Sequence, residues 1–265
     1  VSIRALIFDV DGTLADTEEL HRQAFNAAFA DAGLRWDWHR ALYRELLHVT
    51  GGKERIAHYI GTLGLDELDR RAALARVPAL HAAKTRHYAA LVAGGALRLR
   101  PGVARLLAEA RAAGLHLAIA STTSPANVEA LLLATLGPDG PGLFDLIASG
   151  DLVARKKPAP DVFELALRTL GLDADEAVAF EDSAPGLRAA RAAGLWTVVT
   201  PTPWTGDDDL SLAQLLLPHL GDPETPLPGE PGVRLPDAPW LTLSALEQLR
   251  HPPRACTVRR LYESA

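Results

Sequence analysis

Apolar runs and helical stripes alternate along most of the chain. Ala5-Leu6-Ile7-Phe8 is continuously apolar and breaks into Asp9-Val10-Asp11-Gly12-Thr13. Four to eight apolar residues before such a break predict a strand buried on both faces. Similar runs at 115–120, 146–148, 177–180 and 197–199 predict four more strands. Between them, helices are predicted over 103–113, ending at Gly114, from Ser124-Pro125 to about 136, over 161–170, and from Pro185-Gly186 to Gly194. Strand and helix in alternation imply a parallel sheet covered by helices, a doubly wound, Rossmann-like α/β fold.

The alternation is interrupted once and then ends. Asp16-Thr17-Glu18-Glu19 reads as a helix start, its acids suited to the positive end of the dipole. Leu20, Ala24, Phe25, Ala28 and Phe29 follow at helical spacing as far as Gly33. From Trp36 to Leu97 no strand is expected. Tyr43, Leu46 and Leu47, then Ile56, Tyr59 and Ile60, then Leu80, Tyr88 and Leu91 form helical stripes punctuated by glycines. Residues 17–97 are therefore expected to be an all-helical cap inserted into a core made of 1–16 and 98–265, with Trp36 and Trp38 in the cap interior. Beyond Thr200 nine prolines fall between 201 and 239. A helical piece is expected near 210–217, an irregular proline-rich loop over 221–239, and a short closing helix over 244–249.

Composition narrows the function classes. The net charge is −6 over 265 residues, without the basic footprint of a nucleic-acid binder or a basic amphipathic helix for a membrane surface. No apolar run reaches the roughly 18 residues of a membrane span. A single cysteine, Cys256, excludes an intramolecular disulfide. No signal peptide is evident, so the expected location is cytoplasmic, or an organelle interior if a transit peptide was removed. The chain is expected to be a monomer with a small-molecule ligand, without nucleic-acid or membrane partners.

Potent side chains follow the predicted strands: Asp9 and Asp11, Ser121, Lys157, then Glu181 and Asp182. A parallel sheet gathers strand ends on one edge, where ligands of such sheets bind. Carboxylates gathered there need a cation, and all-oxygen ligation points to Mg²⁺. With a lysine and a hydroxyl to hold phosphoryl oxygens, the set suits phosphoryl transfer. Asp9 would attack phosphorus; Asp11 would protonate the leaving oxygen and later deprotonate water.

Asp9-Val10-Asp11-Gly12-Thr13, Ser121, Lys157-Pro158 and Glu181-Asp182-Ser183 together resemble the four motifs of the haloacid dehalogenase superfamily, in order, over roughly residues 1–200. A helical cap after the first motif resembles the β-phosphoglucomutase/CbbY-like subgroup. The resemblance implies an aspartyl-phosphate intermediate on Asp9. It implies Mg²⁺ held by Asp9, by the Asp11 backbone carbonyl, and by Glu181 and Asp182, and phosphate held by Ser121, Thr122 and Lys157. In the cap it implies substrate contacts from Lys53 or Arg55 in Thr50-Gly51-Gly52-Lys53-Glu54-Arg55, from Lys84, and from His21 near the hinge. Spacing does not separate Lys53 from Arg55, and Lys84 beside Arg86 and His87 also fits surface charge. Two anionic ends are implied for the substrate, a sugar bisphosphate, with xylulose-1,5-bisphosphate foremost. A phosphosugar mutase is the alternative, and a non-catalytic phospho-ligand sensor or scaffold a further one. Asp207-Asp208-Asp209 is expected to be a solvated acidic turn.

Overall fold

In a computed structural model of the chain, residues 2–95, 97–228 and 235–251 are described; Cys256 and part of the proline-rich segment lie outside them. Among the described residues six strands form one parallel sheet: β1 (Ala5–Phe8), β2 (His116–Ala120), β3 (Leu146–Ala148), β4 (Ala177–Glu181), β5 (Trp196–Val199) and β6 (Leu215–Leu216). Their order is β3-β2-β1-β4-β5-β6, with β1 central. Alternation along β1 divides its side chains between two cores. Leu6 and Phe8 join Ile119, Phe180 and Val198 on one face. Ala5 and Ile7 join Ala118, Ala120, Ala177 and Ala179 on the other, with Phe163 and Ala189. The second face is alanine-rich, which lets the backbones of α8 (Asp161–Leu170) and α9 (Ala184–Ala192) lie close to the sheet. α6 (Val103–Ala112), α7 (Pro125–Leu136) and α10 (Leu243–Arg250) cover the first face.

Between β1 and β2 lie α1 (Glu18–Asp31), α2 (Arg40–Leu46), α3 (Gly52–Thr62), α4 (Glu67–Ala75) and α5 (Val77–Ala93). They enclose their own aromatic core of Phe25, Phe29, Trp38, Tyr43, Ile56, Ile60 and Leu80. Trp38 is fully buried, and its ring meets Phe29 edge-on at 4.9 Å between centroids. The two chain segments leading to and from these helices run together: Ala15 bridges Leu99, and Arg100 N donates to Leu14 O at 2.8 Å.

Two expectations for the C-terminal part are corrected. The helix near 210–217 is a turn followed by β6, in register with β5 (Val198 with Leu215, Val199 with Leu216). The leucines that suggested a helix instead extend the sheet at the edge of β5. Asp207-Asp208-Asp209 is not simply solvated. Asp207 pairs with Arg44 at 3.2 Å, and Asp208 is half-buried and accepts from Ala184 N at 2.7 Å.

Candidate active site

Register brings the first acids together. Phe8 lies opposite Phe180 and Asp9 N donates to Phe180 O at 2.9 Å, so the end of β1 meets the end of β4, where Glu181 and Asp182 follow. Asp9, Glu181 and Asp182 each offer a carboxylate oxygen within 4.8 Å of the others, and all three are buried. Lys157, in the loop between β3 and α8, reaches into this group. Its Nζ lies 2.6 Å from Asp9 Oδ1 and 2.6 Å from Glu181 Oε1. The Lys157-Pro158 peptide is cis. Ser121, just past β2, accepts from Thr123 N at 3.3 Å. Two glycines make the crowding possible. Gly12, at φ +83°, passes so close to Asp182 that any Cβ would strike its carboxylate, and a Cβ on Gly186 would strike Glu181.

The electrostatics follow from burial with too few cations. Burial raises the Asp9 carboxyl above its ordinary range, against the pull of Lys157, with Asp11 adding to the rise. Burial pushes Glu181 up to about 7, again only partly offset by Lys157. Asp182 is raised further, by burial and by Asp9 and Glu181. Lys157 answers in kind: burial opposes its charge, but Asp9 and Glu181 hold it firmly protonated. The one ammonium bonds two of the three buried carboxylates, Asp9 and Glu181, and the hard oxygen donors of all three fit a bound Mg²⁺.

Asp11 sits in a different environment. Burial disfavours its charge, yet His21, Thr17 and Lys84 together hold its carboxyl well below the usual range. Thr17 Oγ1 donates to Asp11 Oδ1 at 2.6 Å, and His21 Nε2 lies 2.8 Å from the same oxygen. His21 Nδ1 is in turn 2.7 Å from Lys84 Nζ, and the His21 and Tyr88 rings stack at 4.1 Å. Lys84 is buried, so it is not surface charge.

Above these groups lies a cavity of about 200 Å³. Asp9, Asp11, Ser121, Thr122, Lys157 and Asp182 line its floor, and His21, Lys53, Arg55 and Lys84 line the helical side. Glu181 lies behind Lys157 and is not in the lining. The two candidate cap cations differ. Arg55 is buried and committed among α2, α3 and the segment between them, donating to Leu46 O at 3.1 Å, Val49 O at 3.2 Å and Tyr43 Oη at 3.0 Å. The Lys53 side chain is 46% exposed and 3.6 Å from Asp151.

Several residues around the site carry no local signal in the sequence. Arg100 is buried and donates through Nη1 to Gly12 O and Thr200 O, and through Nη2 to Pro201 O at 2.9 Å and Pro218 O at 3.0 Å. Thr205 Oγ1 donates to Asp182 Oδ2 at 3.2 Å. Lys156 pairs with Glu54 at 2.8 Å, and Thr50 Oγ1 donates to Lys157 O. His81 and Trp204 also line the cavity. Only the place of Arg100, just before Pro101-Gly102 where the core resumes, could have drawn notice.

Comparison with known proteins gives a consistent result. A family model for haloacid dehalogenase-like hydrolases matches residues 3–194. The chain is 54% identical over 251 residues to the plasmid-borne protein CbbY of Cupriavidus necator, covering 94% of this chain and 97% of the relative. It is 52% identical over 220 residues to CbbY of Rhodobacter capsulatus, covering 83% and 95%. The crystal structure of a mutant CbbY from Rhodobacter sphaeroides in complex with xylulose-(1,5)bisphosphate matches with a TM-score of 0.76 at 49% identity, over 82% of this chain and 94% of that one. A β-phosphoglucomutase from Clostridium difficile, 20% identical with a TM-score of 0.60, shares the fold.

Proposed function

The chain belongs to the haloacid dehalogenase-like hydrolase family, and on that footing we propose that it is a Mg²⁺-dependent sugar-phosphate phosphatase. It works through a phosphorylated Asp9, with xylulose-1,5-bisphosphate as substrate. Helices α1–α5 are its cap and the sheet with its flanking helices is its catalytic core. One observation carries the reading: Lys157 Nζ bridges Asp9 and Glu181 at 2.6 Å each, beneath a cavity whose opposite wall bears further cations. Similarity to the CbbY proteins, one of them crystallised with the bisphosphate, supports the choice of substrate.

When bound among Asp9, Glu181, Asp182 and the Asp11 carbonyl, Mg²⁺ would neutralise those carboxylates and the phosphoryl oxygens. The chain's own residues do the rest. Lys157, Ser121 and Thr122 orient the phosphoryl group. An Asp9 carboxylate oxygen attacks phosphorus as the bond to the sugar oxygen breaks, and Asp11 gives that oxygen a proton. Water then attacks the Asp9-bound phosphorus and returns a proton to Asp11; the Asp9–phosphorus bond breaks and inorganic phosphate leaves. His21, Thr17 and Lys84 favour the ionised Asp11 carboxylate, so its acid role depends on the phosphate dianion of the substrate, whose charge raises its affinity for a proton. Lys53, the more available of the two cap cations, is the main contact for the far end of the substrate; Arg55 braces the segment leading into α3, the helix that carries it.

The test is phosphate release from the bisphosphate with Mg²⁺ and with chelator, together with acid quench during turnover. The expected result is Mg²⁺-dependent release and a phosphoryl group on the peptide containing Asp9. Release that persists in chelator, or a phosphoryl group elsewhere, would contradict the mechanism.

A further inference from the structure

On the cavity wall stands His81, on the second turn of α5, whose ring makes no hydrogen bond among the described residues. Its neighbours are mostly cationic and already engaged. Lys84, one turn on, is 2.7 Å from His21; Lys156, from the core, is 2.8 Å from Glu54; Lys53, on α3, is 3.6 Å from Asp151. The Asp151 carboxylate pulls the other way on His81. Burial, then Lys84, Lys53 and Lys156, pull the imidazole down to about 4. At neutral pH it is therefore uncharged, with one N–H to donate and one ring nitrogen to accept.

The space in front of the ring is created by a glycine. A Cβ at Gly52 would lie 2.7 Å from His81 Cδ2 and 2.8 Å from Nε2, and 3.4 Å from the Phe25 ring. Any side chain there displaces the imidazole, whereas bare backbone lets it stand against the start of α3, the turn that also carries Lys53. A fourth ammonium at this point would be repelled by the three present. A neutral N–H adds a directional bond to an anion without that cost, and hydrogen bonds to charged groups are the stronger kind.

We propose that His81 is a specificity-determining residue that hydrogen-bonds the non-reacting anionic end of the substrate, alongside Lys53. This deepens the sugar-bisphosphate reading above and rests on it. His81 lies outside the phosphoryl-transfer group, so its contribution falls on the choice between two-ended and one-ended substrates.

The test compares xylulose-1,5-bisphosphate with p-nitrophenyl phosphate, which has a reacting phosphoryl group and no second anionic end. In His81→Ala the bisphosphate-to-aryl ratio of kcat/KM is expected to fall about tenfold or more, through KM for the bisphosphate. His81→Gln, which keeps a neutral N–H donor, recovers most of that loss. Gly52→Ala, favourable for a helix start, reproduces the defect by displacing the ring. Calorimetry reads the same contact without turnover: bisphosphate should bind Asp9→Asn/His81→Ala about tenfold more weakly than Asp9→Asn. An unchanged ratio and equal affinities in folded variants would overturn the role of His81 while leaving the phosphatase reading intact. Absence of phosphate release by the wild-type protein would overturn that reading instead, with the calorimetric comparison still deciding His81.

Discussion

Asp9 and Asp11 stand two residues apart and are held in opposite states, one raised by burial and one lowered by His21, Thr17 and Lys84. Asp9→Asn keeps the shape and removes the attacking oxygen, so turnover is expected to fall by at least about 10³-fold, measured as phosphate release. Lys84 bears a cost for its position. Burial pulls it from 10.5 down to about 8, against Asp11 and Glu18. Its folded value lies below its unfolded one, so the penalty is fully present below pH 8 and is relieved as pH rises through 8 toward 10.5. Lys84→Met should therefore stabilise the protein by about 1–3 kcal/mol at pH 7 and by much less at pH 10, while lowering kcat. Urea unfolding at the two pH values checks the sign. Asp9, Asp11, Ser121 and Asp182 were legible in the sequence because each stands at the end of an apolar run that had to be a buried strand, whereas Lys157, in the loop after β3, was legible through its motif. His81 and Arg100 were not, because their significance lies in what comes near them from distant parts of the chain.

Elements were legible where pattern and burial agree. β1 to β5 and the helices between them, apart from α4, follow the apolar runs and stripes because each buries what its pattern offers; α4 buries no residue and no stripe announced it. β6 was missed because Leu215 and Leu216 lie in a leucine-rich stretch with helical composition, and the edge of β5 decided their conformation. Arg100 ties the elements together at the catalytic edge. Its guanidinium joins the turn after β1, through Gly12, to the segments after β5 and β6, through Thr200, Pro201 and Pro218. Removing it strands several buried carbonyls at once. Arg100→Met is expected to cost about 3–5 kcal/mol in denaturant unfolding. Arg100→Lys should recover only part of this, since one ammonium cannot match a planar fork with five N–H donors.

At the scale of the molecule, Ala24, Tyr88 and Val92 of α1 and α5 join the hydrophobic cluster on the first face of the sheet, and polar contacts flank that junction. Thr50 to the Lys157 carbonyl, Glu54 to Lys156, Lys53 to Asp151 and Arg44 to Asp207 span it, and Tyr43 meets Trp204 edge-on at 5.6 Å. These contacts join residues more than ninety positions apart, so no local pattern announces them. The buried acids of the core predict a thermal signature as well. A cation that binds only the folded chain at 100 times its Kd adds about 2.7 kcal/mol. Saturating Mg²⁺ should then raise Tm by about 5–10 °C, and Asp182→Asn should abolish most of that shift in a melting experiment. Lack of any Mg²⁺ effect on Tm would argue against the ion site. The most direct test of the function is the product formed from xylulose-1,5-bisphosphate under Mg²⁺. A phosphatase yields one inorganic phosphate and one xylulose monophosphate per turnover, with kcat/KM well above that for sugar monophosphates. A rearranged sugar phosphate without phosphate release, or equal rates on mono- and bisphosphates, would contradict it.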